Sequence, residues 1–421
     1  MVSLASISGI GSGNYFARSL GIAVVCLSAG CAKAPFISIN TPSDTERSEG
    51  RALAPDAEID ISGYLKVDAI YDLKQDLGDY FDFSALENKP RSHHLRVQGR
   101  ETRISVRARH VTQMGAVRAL IEGDFFSGKH VEPNIQMRHV WGEWEVTDTI
   151  RLGIGQTWRN FMSTSSGIPT VDYNGPAGLM NKSRNAQLRL THNSGPFEVA
   201  LSIEKPSFES AALQSTMPDL TARLQYTLPG GASVLFSSVA RYFSTAVTPT
   251  MVKGDQAVGW GIQTAANFEV MRAVNLSTSA MVGAGLGNYL LGGGQALWQE
   301  AGGKLHLNTA LGLFAGATIT LTPQLSTNIG WGYAMRNTQE ATEEANFAHG
   351  TNLATTSVTK ETMSIHVNLL WEPIESMRLG LEASWGRRKY VQPDSPGTNR
   401  NACQRRSNSR PLRRSKSRPL A

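Results

Sequence analysis

The chain has 421 residues, of which 18 % are charged, with 41 Lys and Arg against 35 Asp and Glu and 40 glycines. A mean hydropathy of -0.23, with no apolar run near the roughly 20 residues of a membrane helix, excludes a polytopic helical transporter, and the composition is too ordered for a disordered protein. A closed membrane β-barrel is not excluded, because its strands alternate apolar with polar residues and average out in hydropathy.

The formal charge of +6 belongs to one tail. Residues 401–421 hold Arg405, Arg406, Arg410, Arg413, Arg414, Lys416 and Arg418 and no acid. Without them the chain is close to neutral, so no nucleic-acid partner is expected. The three cysteines, Cys26, Cys31 and Cys403, lie near the two ends. They form neither a disulfide framework nor a metal-ligand spacing, and no cofactor or metal is expected.

In chain order, residues 1–34 read as a signal peptide. Arg18 precedes a short apolar core, Leu20–Ala29, and Ala32-Lys33-Ala34 supplies small residues for cleavage. The stretch Leu27–Cys31 resembles a lipobox with its Leu one place early. A short buried helix is the alternative. Residues 35–58, with Pro35, Pro42 and Pro55, read as a periplasmic linker.

From residue 59 the period is two. Ile59, Ile61, Gly63, Leu65, Val67, Ala69 and Tyr71 alternate with Asp60, Ser62, Tyr64, Lys66, Asp68, Ile70 and Asp72, the pattern of a strand with one apolar and one wet face. The same pattern predicts strands over 59–72, 95–110, 115–127, 135–147, 150–158, 184–193, 196–204, 219–228, 231–243, 256–269, 272–285, 302–321, 324–336, 360–371 and 375–389. The segment 302–321 is long enough to hide a second short strand. Counted from the first strand, odd gaps hold 7 to 25 residues and even gaps 2 to 4. Alternating short turns and long loops are the mark of outer-membrane barrels. Tyr71, Phe125, Trp144, Tyr226, Trp371 and Trp385 near strand ends fit interfacial girdles as well as they fit an ordinary core.

The expected fold is therefore all-β: a transmembrane antiparallel β-barrel over 59–399, with sixteen strands expected and fifteen recognisable. Residues 400–421 stand where the last strand belongs. They do not alternate, carry seven charges and end in Ala421 rather than an aromatic. Arg or Lys facing the bilayer midplane costs roughly 2–4 kcal/mol each, so this basic tail is a poor closing strand, and a frameshift or a grafted tail would each account for it. A chain with fifteen strands is expected to assemble poorly.

Several blocks resemble the DcaP-like outer-membrane porin family: Gly63–Asp72, Gly78–Phe83, Glu122–Phe126, Arg138–Trp144, Gly155–Trp158 and Asp172–Gly178. They span residues 63–178, and beyond them the likeness is one of strand pattern. The resemblance implies a sixteen-stranded homotrimer in the bacterial outer membrane that passes small anionic solutes such as carboxylates and dicarboxylates. Two departures are the short space for a periplasmic coiled coil in 35–58 and the missing final strand.

The gap 159–183 is the longest and carries Arg159, Asp172, Asn174, Gly175, Pro176 and Gly178. By analogy with general porins it is a candidate constriction loop, with Asp172 and Asn174 facing the pore; a plain surface loop is the alternative. Arg103, Arg107 and Arg109 fall on the polar face of the second strand. Together with Arg118, Arg159, Arg189 and Arg223 they are candidate pore-lining cations, since rings of Arg select anions. Alternatively they pair with Asp68, Glu122 and Asp124 and only stiffen the wall. No nucleophile elbow, phosphate loop or metal spacing stands out, so no enzymatic activity is expected. The rival to a porin is a structural or adhesin-type barrel with a plugged lumen.

Overall fold

A computed structural model describes residues 15–29, 32–40, 57–87, 90–129, 132–162, 167–181, 183–206, 213–214, 217–245, 255–299, 304–337 and 358–391. Of these, 15–29 and 32–40 are described by backbone pairing alone. The basic tail 400–421 lies outside the described residues, as do 1–14.

The wall begins with β1 (Tyr15–Ala29, continued by Ala32–Asn40), β2 (Glu58–Tyr64, continued by Val67–Asp72) and β3 (His94–Gln98, continued by Arg103–Thr112). Then follow β4 (Gly115–Lys129), β5 (Glu132–Glu145), β6 (Ile150–Trp158), β7 (Arg184–Ser194), β8 (Phe197–Glu204) and β9 (Asp219–Thr227). Next come β10 (Ser233–Thr245), β11 (Gln256–Met271) and β12 (Val274–Ala284). The last four are β13 (Thr309–Thr322), β14 (Leu325–Arg336), β15 (Val358–Ile374) and β16 (Met377–Val391). Each strand pairs antiparallel with the next. β16 then pairs with β1, Tyr15↔Tyr390 through Ala29↔Met377, and the ring is closed. Among the described residues no helix is long and apolar enough to cross a membrane.

Burial along the strands is inverted relative to a soluble protein. On β15, Ile365, Val367, Leu369 and Trp371 are 37–48 % exposed, while Ser364 and His366 are fully buried and Asn368 is 3 % exposed. β8 repeats this, with Phe197, Val199, Leu201 and Ile203 exposed and Ser202 and Glu204 buried. A wall that turns apolar residues outward and hydrogen-bonds polar ones inward is built for a lipid surround. Tyr71 and Trp371, both placed near strand ends by the sequence, lie on this outer face.

The fifteen strands expected between 59 and 389 are all present, with three differences. The loop expected over 128–134 is paired strand at both ends, since pairing continues to Lys129↔Glu132. Glu132, Pro133 and Asn134 carry no apolar alternation, but strand pairing runs through backbone groups, and Pro133, which has no N–H, still offers a carbonyl. The segment 302–321 does contain a second strand. Leu305–Leu307 pairs with Leu297–Gln299 in a small separate hairpin, and the wall strand starts only at Thr309. Asn308 makes the break: its N–H donates to Ala296 O and its Nδ2 to Gln295 O.

The third difference concerns closure. The sixteenth position, expected to be left open by the unsuitable tail, is occupied from the other end of the chain. β1 runs in the direction that a strand returning after β16 would take, with Gly21↔Asp72 and Asn40↔Glu58 on its other side. Residues 15–29, which have the pattern of a targeting segment, form part of the wall here.

Candidate functional site: the lumen constriction

Loop three (159–183) crosses the interior of the barrel. At its start, the Asn160 N–H donates to Glu204 Oε1 at 2.7 Å and the Ser237 hydroxyl donates to Phe161 O at 2.8 Å. Arg159 is 1 % exposed, with its guanidinium 4.0 Å from the centre of the Tyr289 ring. Arg241 stands 4.8 Å from the same ring and 3.2 Å from Asp219, which accepts the Tyr289 hydroxyl at 3.0 Å. Burial pushes the Tyr289 phenol well above its ordinary pKa, so it stays a hydrogen-bond donor. Arg159 was expected to line the pore. It is instead a buried anchor, because the ring of Tyr289 from the loop after β12 covers it.

That loop, 285–308, is zipped onto loop three. Gly178 N–H donates to Leu291 O at 3.0 Å, Leu291 N–H to Leu179 O at 2.9 Å, and Asn181 N–H to Tyr289 O at 2.9 Å. The tip of loop three is then fixed to the wall. Val171 N–H donates to Glu382 Oε2 at 2.6 Å, Lys66 Nζ to Val171 O at 2.9 Å, Asn368 Nδ2 to Pro169 O at 2.8 Å, and Ala177 N–H to Ser364 Oγ at 2.9 Å. These partners come from β2, β15 and β16, on the side of the ring opposite the β8 and β10 partners of the loop's start.

Glycines on the inner faces of β13 and β14 make the seat. A Cβ at Gly316 would come within 2.7 Å of Ile168, and one at Gly330 within 2.6 Å of Ile168 and 3.0 Å of Pro176. At Gly332 it would overlap the Ala177 carbonyl oxygen. The high glycine content of the chain is thus partly the imprint of loops on the wall. Gly386 on β16 does the same for loop one (73–93), where a Cβ would stand 2.6 Å from the Phe81 ring.

Asp172, expected to face the pore, is spent on shape. Its carboxylate accepts the N–H groups of Phe81 at 2.7 Å and of Asn174 and Gly175 at 2.9 Å, clasping loop one to loop three. Enclosure pushes its carboxyl above the usual carboxylate range, with the nearby Glu382 adding to the effect and His366 opposing it. Asn174 does reach the lumen. It lines a cavity of about 550 Å³ bounded by loop one, loop three and the loop after β12. One wall of this cavity is aromatic: Phe126 and Tyr173 have ring centres 4.2 Å apart, and Tyr80 is 6.1 Å from Tyr173. Tyr80, Phe126 and Tyr173 lie in or beside the blocks that carry the family resemblance, yet nothing in strand periodicity marks them as neighbours. Arg184, the first residue of β7, also lines the cavity and was not singled out from the sequence.

The other arginines form an arc on the inner wall from β3 to β9. Arg107 lies 3.7 Å from Asp60, Arg109 3.8 Å from Glu58, and Arg118 2.6 Å from Glu145. Arg103 is 3.5 Å from Glu122, a carboxylate that Arg138 also holds at 2.7 Å. Arg223 pairs with Glu198, which Arg151 shares at 3.1 Å. Arg189 donates to Gln187 and to the Trp158 carbonyl, and among the described residues has no carboxylate at ion-pair distance. These side chains stand on the inner face, and most are paired with carboxylates across it. Of the three acids expected as partners, Glu122 serves; Asp68 pairs with Lys66 at 3.5 Å and Asp124 with Arg138 at 2.7 Å.

No protein-family profile matches the chain, and no curated protein sequence is similar to it. Among solved structures it is similar to the outer membrane channel DcaP of Acinetobacter baumannii, with 19 % identity and a TM-score of 0.66 over 78 % of this chain and 97 % of that one. An anion-selective porin from Comamonas acidovorans aligns at a TM-score of 0.49 and 9 % identity over 79 % of this chain and all of that one. The outer-membrane OmpT of Vibrio cholerae aligns at 0.49 and 10 % identity, over 79 % and 98 %. The barrel is thus the fold of an outer-membrane channel.

Proposed function

We propose that the chain is a passive diffusion porin of the bacterial outer membrane that favours small anionic solutes, carboxylates among them. The observation that carries this reading is the pairing of an inverted wall with a lumen that loops narrow around a cavity of about 550 Å³. An apolar outer face demands lipid, and an inner face of satisfied polar groups suits water and small solutes. The arginine arc supports the anion preference. Arg107 and Arg109 are about half exposed to the lumen, and a guanidinium offers a fixed fork to a carboxylate. Assembly as a homotrimer is part of the same proposal, as it is in the family that the sequence resembles.

Two expected results test it. Membrane fractionation recovers the protein with outer-membrane markers; recovery mainly from the inner membrane or cytosol contradicts the proposal. In bilayers, replacing Arg107 and Arg109 with Ser leaves Asp60 and Glu58 without cations. The reversal potential in a salt gradient then shifts toward cations, and carboxylate flux falls. Unchanged selectivity would assign the arc to wall stiffening, and the absence of any conductance would favour a plugged barrel.

A further inference from the structure

Two side chains stand out in the constriction cavity, because Asp82 and Arg184 are the only charged residues in its described lining. Asp82 uses Oδ1 to accept the Ser84 N–H at 2.8 Å and the Ser84 hydroxyl at 2.7 Å. Among the described residues, no cation lies at ion-pair distance from it. Arg184 stacks over Trp158 at 4.6 Å, and its Nη1 is buried without a hydrogen-bond partner. No described carboxylate lies at ion-pair distance from it either. Arg138, which approaches the Tyr173 hydroxyl at 3.2 Å, is already neutralised by Glu122 and Asp124. Loop one thus brings to the cavity a carboxylate outside any described salt bridge, and the start of β7 a guanidinium outside any described salt bridge that hydrogen-bonds Tyr173.

The same cavity is lined by the aromatic wall of Tyr80, Phe126 and Tyr173. Tyr80 and Phe126 are 6.3 Å apart, and the guanidinium of Arg100 covers the Phe126 ring at 5.3 Å. A guanidinium gains most from a charged acceptor, and aromatic faces gain most from flat apolar groups.

We propose that this cavity is a subsite for zwitterionic solutes, namely α-amino acids with a planar apolar side chain. The proposal rests on the diffusion-channel reading above. The solute carboxylate sits on Arg184, its ammonium group turns to Asp82, and its ring lies against Tyr80, Phe126 and Tyr173. A solute with only the carboxylate satisfies Arg184 but leaves Asp82 facing it unpaired. An amine alone does the reverse. Complementary charge on both sides is what separates the zwitterion from either analogue.

The test is single-channel recording with L-phenylalanine, 3-phenylpropionate and phenethylamine at equal concentration. In the unmodified protein, phenylalanine is expected to interrupt the current with residence times about tenfold longer than either analogue, the size of one charge contact. In Asp82→Asn the difference between phenylalanine and phenylpropionate disappears, and in Arg184→Gln that between phenylalanine and phenethylamine. Phenylpropionate resting as long as phenylalanine in the unmodified channel overturns the proposal, as does open current that none of the three interrupts. The comparison of solutes on the unmodified protein stands even if a variant fails to fold. A protein that conducts nothing rejects the porin reading itself, a result distinct from an open channel blind to the solutes.

Discussion

A chain beginning at residue 35 is expected to give no heat-resistant barrel on refolding in detergent, whereas residues 1–421 give one. The reason lies in the closing strand. β1 is hydrogen-bonded to β16 from Tyr15↔Tyr390 to Ala29↔Met377 and to β2 along its other edge. Removing residues 1–34 takes away Tyr15–Ala29 and leaves two edges facing lipid. Each unpaired N–H or C=O there costs several kcal/mol. The same residues carry the pattern of a targeting segment, and a chain cleaved after residue 34 would lose the closing strand. Replacing residues 401–421 of the shortened chain with an alternating strand of about ten residues ending in an aromatic should restore the heat-resistant band, because the strand fills the same position in the same direction. Gel mobility before and after boiling, with protease resistance, reads the result. Equal heat resistance of both chains would show that β1 is dispensable.

The second large effect is expected from Gly332→Leu. The space beyond Gly332 is filled by the backbone of Ala177: a Cβ would overlap its carbonyl oxygen and stand 2.8 Å from its carbonyl carbon. Backbone cannot swing aside as a flexible side chain can. Loop three must therefore lift from β14, and the hydrogen bond from Ala177 to Ser364 is lost with it. The wall itself keeps its backbone pairing, Gly332↔Phe314 and Gly332↔Ser364. The expected result is a several-fold rise in single-channel conductance with weakened solute discrimination and an unchanged heat-resistant band. Gly142→Ala is the control, since its nearest neighbour would be Ile154 O at 3.9 Å, an ordinary contact. Unchanged conductance in Gly332→Leu would mean that loop three is not the narrowest point of the lumen.

The fold was largely legible because its signal is local. A strand that faces lipid on one side and the lumen on the other must alternate at period two, and Ile365, His366, Val367 and Asn368 state that in four consecutive residues. Turn residues such as Asn193-Ser194-Gly195-Pro196 declare the short ends in the same way. Glu132–Asn134 and the break at Asn308 were illegible for the complementary reason. Backbone pairing needs no side-chain signature, and an alternating run does not reveal which strand it pairs with.

The site was legible only as a set of residues. The inner position of Arg107, Arg109, Arg118, Arg189 and Arg223 follows from strand parity, which the chain carries by itself. Their partners do not, because register between strands tens of residues apart decides whether Arg107 meets Asp60 or Asp68. Arg159 and Asp172 look like pore residues by type and by loop. Burial under Tyr289 and three backbone donors make them an anchor and a clasp instead. The sequence by itself determined strand parity, strand number between 59 and 389, and the segregation of short from long connections, all of which depend on neighbours a few residues apart. Only the tertiary structure decided which segment closes the wall, where glycines receive loop three, and which two charges face the cavity. Those are contacts between residues as far apart as Val171 and Glu382, and they exist only once the ring has formed.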